Sequence, residues 1–234
     1  MGGAVGVPGN ITPCAEFNCY ADAVAAARVF ALTSPSPAST MPPPALNKAG
    51  LPAYPAKLSR PLKLTLFPLD ITTPHELMRG FFLERIAPLR KEGSPLAEWT
   101  STFLTRTFDQ INRMVGEGVE AGLSLHDPLC IWYMLTRDDP AWKHLDQPED
   151  IRIEVTGQWT RGMHVVDRRR RVKAGEGPTK AGTSGDPADE LTFDEVPGDT
   201  LGWLSVRKGN RINRIVDSPG ANLFAPELMR RVFE

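Results

Sequence analysis

The amino-acid sequence predicts an α/β fold, and three observations predict it. Short apolar runs of strand length alternate with segments whose apolar residues recur at the helical period. The run Leu62 to Leu69 has the length and apolar character of a buried parallel strand. The 234 residues, 41% hydrophobic and 24% charged, have the composition of a globular domain with a sizeable core.

Taken in order, the small, Gly-rich stretch Met1 to Asn10 leads through Thr12-Pro13 into an Ala-rich segment, Asp22 to Leu32, that reads as a helix. Residues 33–61 are crowded with Pro, Ser and Ala. Fixed φ angles and missing N–H groups suit neither a helix interior nor a central strand, so this Pro-rich stretch is expected as an exposed insertion. After the strand at Leu62 to Leu69, Thr73, Pro74 and Glu76 carry a helix-start pattern: an N-cap, a first helical residue and a reciprocal capping partner. The next helix runs from Ser94-Pro95 to about Val115, with Leu96, Trp99, Phe103, Leu104, Phe108 and Ile111 as its core stripe. A third helix follows Asp127-Pro128 through Leu135. Ile151 to Val155 and Met163 to Val166 read as paired strands around Gly157. Residues 168–199 open with an Arg run and continue without periodicity, as a flexible loop would. A strand near Ile212 to Val216 and a short helix from Pro226 to Phe233 close the chain.

The formal net charge of -1 provides no global field to draw in nucleic acid or an anionic membrane, so the expected partner is a small molecule. No apolar run approaches the roughly 20 residues of a membrane helix, and the first residues lack signal-peptide character; the expected compartment is the cytoplasm. Cys14, Cys19 and Cys130 are odd in number and lack a CxxC spacing, which argues against a disulfide framework or a structural zinc. His75, His144 and His164 lack partners at ligand spacing and read as surface or core histidines. The GxGxxG and GxxxxGK[ST] patterns are absent, which removes the main support for dinucleotide or P-loop sites.

Two clusters carry chemistry. Gly9-Asn10-Ile11-Thr12-Pro13, followed by Glu16-Phe17-Asn18, places a carboxylate and carboxamides between a Gly-rich loop and a helix, which suits a grip on several hydroxyl groups. The same residues also read as a turn and a helix cap. His126-Asp127-Pro128 opens an apolar helix: Asp before Pro is ordinary capping chemistry, while the adjacent imidazole could give a proton to a leaving group and the carboxylate could bind metal or hydroxyl.

Met1-Gly2-Gly3, Gly9 to Pro13, Glu16-Phe17-Asn18, Pro68-Leu69-Asp70-Ile71-Thr72, His126-Asp127-Pro128, and Thr160-Arg161-Gly162 with Val165-Val166-Asp167 follow one another in an order that resembles the inosine- and uridine-preferring nucleoside hydrolases. The resemblance spans nearly the whole chain apart from 33–61 and 168–199. It implies an open, mostly parallel, Rossmann-like sheet with flanking helices and ligand at the strand C-terminal ends. It also implies that 1–234 is a partial, N-terminally truncated domain, because the family's aspartate-rich run after its first strand has no counterpart. Carried over by the resemblance, Asn10, Glu16 and Asn18 hold the ribose hydroxyls, and Phe17 and Met1 line the pocket. Asp127 ligates calcium and meets the ribose, and His126 protonates the departing base. The implied reaction is hydrolysis of a ribonucleoside to ribose and base, with calcium as an incompletely liganded cofactor. A non-catalytic remnant that binds a ribosyl ligand or pairs with an intact homologue is the alternative. Self-association is expected, and base preference depends partly on the loop 116–125.

Overall fold

A computed structural model describes residues 1–43, 59–114, 118–120, 122–169 and 198–234. The elements run α1 (Phe17–Ala21), α2 (Ala23–Ala31), β1 (Leu64–Leu66), α3 (Leu69–Thr72), β2 (Glu76–Met78), α4 (Arg79–Lys91), α5 (Pro95–Met114), β3 (Gly122–Ser124), α6 (His126–Thr136), β4 (Lys143–His144), β5 (Ile151–Ile153), β6 (His164–Val166), β7 (Ile212–Asp217) and α7 (Ala221–Phe233). The described residues within 2–70 and 144–215 form one compact unit, and those within 71–143 and 216–234, with Met1, form another. A single partial domain was the expectation from sequence. Each unit is assembled from discontinuous segments, which linear composition does not reveal.

In the unit containing residues 2–70, Asp22 caps α2: its Oδ1 accepts the Ala25 N–H at 2.9 Å, satisfying a first-turn donor. The helix then buries Ala23, Ala27 and Phe30 in a core shared with Val5, Leu66, Ile151, Ile153 and Ile212. Small alanines let the helix backbone approach β5, and each large apolar side chain taken from water contributes about 1.5–3 kcal/mol. Strands β1 and β7 pair in parallel, Leu64 opposite Ile212, and β7 lies between β1 and β4. Strands β5 and β6 pair antiparallel, Ile151 opposite Val166, as expected for the stretches around Gly157. The expected exposed insertion begins instead with docked residues. Thr33 and Ser34 are buried; Thr33 Oγ1 accepts the Arg211 N–H at 2.8 Å, and Thr40 Oγ1 donates to Asn210 Oδ1 at 2.6 Å. The rest of that insertion, 44–58, and most of the expected 168–199 loop, 170–197, lie outside the described residues.

In the other unit, the helix-start pattern at Thr73-Pro74-Glu76 does not start a helix. Glu76–Met78 is β2, antiparallel to β3 with Leu77 opposite Leu123, and α4 begins at Arg79. Burying Leu77 to 3% exposure in a strand pair outweighs a local cap worth about 1 kcal/mol. Helix α5 forms where expected and turns only the later part of its expected stripe inward. Ala97, Ser101 and Phe108 are buried with Leu104 and Ile111 half-buried, while Leu96, Trp99 and Phe103 are exposed. The i, i+4, i+7, i+11 series from Ala97 lets α5 lie close to α4, where Phe108 meets Phe82 with ring centres 5.7 Å apart. Trp132 of α6 stacks on Phe224 of α7 at 4.7 Å. Among the described residues the strand pairs are mixed, so the fold is α/β with both parallel and antiparallel pairing.

Candidate functional site

The Gly9-to-Asn18 cluster is a closed loop followed by a capped helix. Gly9 N–H donates to Pro13 O at 3.1 Å, and Thr12 Oγ1 accepts the Ala15 N–H at 2.9 Å. A Cβ at Gly9 would collide with the backbone of Thr12 and Ala15, which is why the loop takes glycine there. Asn10 Oδ1 accepts the Phe17 N–H at 2.9 Å. Glu16, 1% exposed, caps α1: Oε1 accepts from Asn18 N at 2.8 Å, and Oε2 from Cys19 N at 3.2 Å and Gly3 N at 2.9 Å. Three of the roughly four acceptor sites of a carboxylate are thereby taken by backbone amides. Among the groups that this loop and the first turn of α1 present to solvent are Asn10, Ile11, Phe17 and Asn18, with buried Glu16 behind them.

A second carboxylate braces the Gly-rich segment that leads into this loop. Asp70 accepts the Val5 N–H on Oδ2 at 2.9 Å and the Gly6 N–H on Oδ1 at 2.7 Å. Buried His164 closes the other side. Gly3 has φ +83°, and a Cβ there would collide with the His164 imidazole ring. His164 meets Phe30 edge-on at 5.5 Å and Cys19 Sγ at 3.9 Å from Nε2. Burial pushes the His164 imidazole down to about 4, against smaller opposite pulls from Gly162, Glu16 and Asp70. Burial and the Glu16 carboxylate push the Cys19 thiol up to about 12, so it is a packing group rather than a nucleophile. The roles of Asp70 and His164 were missed in the sequence because their partners lie 65 and 145 residues away.

In the other unit, His126 and Asp127 open α6. Asp127 is exposed within the first turn, and Leu125, not Asp127, holds the N-cap position. His126 is half-buried, and its Nδ1 is 2.8 Å from Oγ1 of Thr72, a residue with no solvent exposure. That contact fixes the ring and leaves Nε2 as the other ring nitrogen. Met1, also expected as a pocket residue, is half-buried. A groove of about 890 Å³ in this unit, lined by Trp132, Thr136, Leu223, Pro226, Met229 and Phe233 among others, contains none of the residues expected from sequence.

Calcium needs roughly six to eight oxygen ligands. Among the described residues no three His, Cys, Asp or Glu side chains cluster to hold a metal, and Asp127 supplies one carboxylate. The described residues do not by themselves make a calcium site.

A profile of the family described as inosine-uridine preferring nucleoside hydrolase matches residues 1–190. The chain is 33% identical over 172 residues to the pyrimidine-specific ribonucleoside hydrolase RihA of Shewanella woodyi, an alignment covering 72% of this chain and 41% of that protein. It is likewise 33% identical over 172 residues to the protein of the same name from Photobacterium profundum, covering 72% and 42%. The chain thus spans about two-fifths of the length of the curated relatives it matches. By the ordered motifs and the matched length, the chain belongs to the inosine-uridine preferring nucleoside hydrolase family.

Proposed function

We propose that this chain provides ribose-binding and leaving-group-protonating parts of an enzyme that hydrolyses the N-glycosidic bond of ribonucleosides, giving ribose and free base. The observation that carries this reading is the exposed set Asn10, Phe17 and Asn18, on a loop and the first turn of α1 that Glu16 caps, with Asp70 holding the Gly-rich segment that leads into the loop. Carboxamides that both donate and accept suit vicinal hydroxyls, and a loop already fixed loses little entropy on binding them. Breaking the C1′–N bond builds positive charge on the sugar and negative charge on the base. His126 answers the second charge by giving its proton to the base, with Thr72 holding the imidazole against rotation. The relatives named above are pyrimidine-specific, so uridine is the proposed substrate ahead of inosine. An open, mostly parallel sheet, a cytoplasmic location and self-association go with this proposal as attributes of the family reading, whereas calcium dependence would need oxygen ligands beyond those the described residues supply.

A second reading has its own observation: among the described residues Asp127 belongs to no group of three or more His, Cys, Asp or Glu side chains able to hold a metal. On that reading the chain binds a ribosyl ligand without hydrolysing it. Release of reducing sugar from uridine and inosine by folded protein, with added calcium and then with chelator, separates the two. Turnover lost in His126→Ala and Asn10→Ala supports the hydrolase. Ribose binding by calorimetry without turnover supports the second reading, and neither binding nor turnover from folded protein sinks both.

A further inference from the structure

A serine–histidine pair lies outside the ribose-binding loop and the His126-Asp127 cluster. His75, 2% exposed, is held by two hydrogen bonds: Nδ1 to the Ile71 carbonyl oxygen at 2.9 Å and Nε2 to Ser218 Oγ at 2.9 Å. A carbonyl only accepts, so Nδ1 carries the proton and Nε2 is left with its lone pair facing the serine hydroxyl. The ring is wedged between Trp132 and Phe224, each with its centre 6.2 Å away. This is the arrangement of a general base with its orienting group, and Ser218, half-buried, occupies the nucleophile's place. The serine also stands at a strand–turn–helix junction, between the end of β7 and the N-terminus of the 13-residue α7. Gly220 at the N-cap of α7 offers no side-chain cap, and its carbonyl accepts the Leu223 N–H at 3.1 Å.

We propose that Ser218 is a second, independent reactive centre, a serine nucleophile activated by His75, that takes small uncharged carboxylic esters. Ser218 Oγ adds to the ester carbonyl carbon as its proton passes to His75 Nε2. The alkoxide leaves and takes that proton, giving an acyl-serine and an alcohol. Water, with His75 again as base, then releases the carboxylic acid and restores the hydroxyl. Asp217, exposed and adjacent, disfavours anionic esters. Burial lowers the His75 pKa from its ordinary value, against the opposing pull of the Ile71 carbonyl, which keeps the ring neutral and able to accept a proton at neutral pH.

A fluorophosphonate probe with peptide mapping, together with 4-nitrophenyl acetate hydrolysis, tests this on the full chain. Labelling is expected at Ser218, abolished in Ser218→Ala, and slowed about 10²- to 10⁴-fold in His75→Gln, the usual worth of a general base. Should His75→Gln fail to fold, the pH profile of wild-type labelling replaces it: the rate stays flat through pH 6.5 and falls only below the lowered His75 pKa. Folded wild-type protein that takes no label, a label that persists in Ser218→Ala, or a rate that falls at ordinary histidine pH overturns the proposal. Nucleoside hydrolysis is read separately, so its success or failure leaves this outcome intact.

Discussion

Among single residues, Glu16 and His164 have the most definite energetic roles. Glu16→Gln replaces an acceptor-only carboxylate that receives three backbone N–H groups with an amide whose NH₂ end faces at least one of them. Urea denaturation is expected to show a loss of about 1–3 kcal/mol, with the glycine-rich loop loosened; an unchanged midpoint would remove Glu16 from that role. His164 has a folded-state value near 4 against an ordinary 6.5. Between those limits the unfolded chain binds a proton that the folded chain refuses, so stability is full above pH 6.5 and declines as pH falls toward 4. The whole step is about 3 kcal/mol, and melting curves from pH 4 to 7 should show a slope that flattens in His164→Gln. The sequence singles out Glu16 as a ribose-hydroxyl residue by resemblance, whereas its capping of α1, its partner Gly3 and the cage around His164 were not legible. Those depend on residues brought together across 13 and 145 positions.

Among the elements, helices were easier to read than the strand pairs that override local signals. Helix α2 was legible from its alanines and its Asp22 cap, and Asp22→Ala is expected to cost about 1 kcal/mol in a denaturant titration. Phe30→Ala, which empties the centre of the core that α2 shares with β5, is expected to cost about 3–5 kcal/mol by the same measurement, and a value below the Asp22 effect would contradict the packing described. The pattern at Thr73 to Glu76 was misread because capping chemistry is local, whereas pairing of β2 with β3 involves residues from Gly122 onward. The first part of the α5 stripe departs from expectation for a related reason, while Leu104, Phe108 and Ile111 turn inward as expected. Leu96, Trp99 and Phe103 satisfy the helical period as well as Ala97 and Ser101 do, and the close approach of α4 selects the smaller residues near the helix start.

For the molecule as a whole, family membership rests on motifs ordered along most of the chain, and the metal rests on how many oxygen ligands converge. Calcium titration by calorimetry is expected to give no site tighter than about 10⁻³ M, the weak end of protein calcium sites, because Asp127 is not joined by a carboxylate cluster among the described residues. A micromolar site that vanishes in Asp127→Ala would overturn this. The sequence by itself determined the α/β class, α2, α5 and α6, the antiparallel pair β5 and β6, and the ordered motifs that identify the family. Each of these is written in residues close together in the chain, through periodicity, caps and short polar runs. Only the tertiary structure decided that Glu16 and Asp70 jointly hold the glycine-rich loop, that Thr72 orients His126, that α5 turns Ala97 rather than Trp99 inward, and that His75 meets Ser218. Those outcomes follow from burial and hydrogen bonds between distant segments, where forming a strand pair or satisfying a buried polar group outweighs local preference.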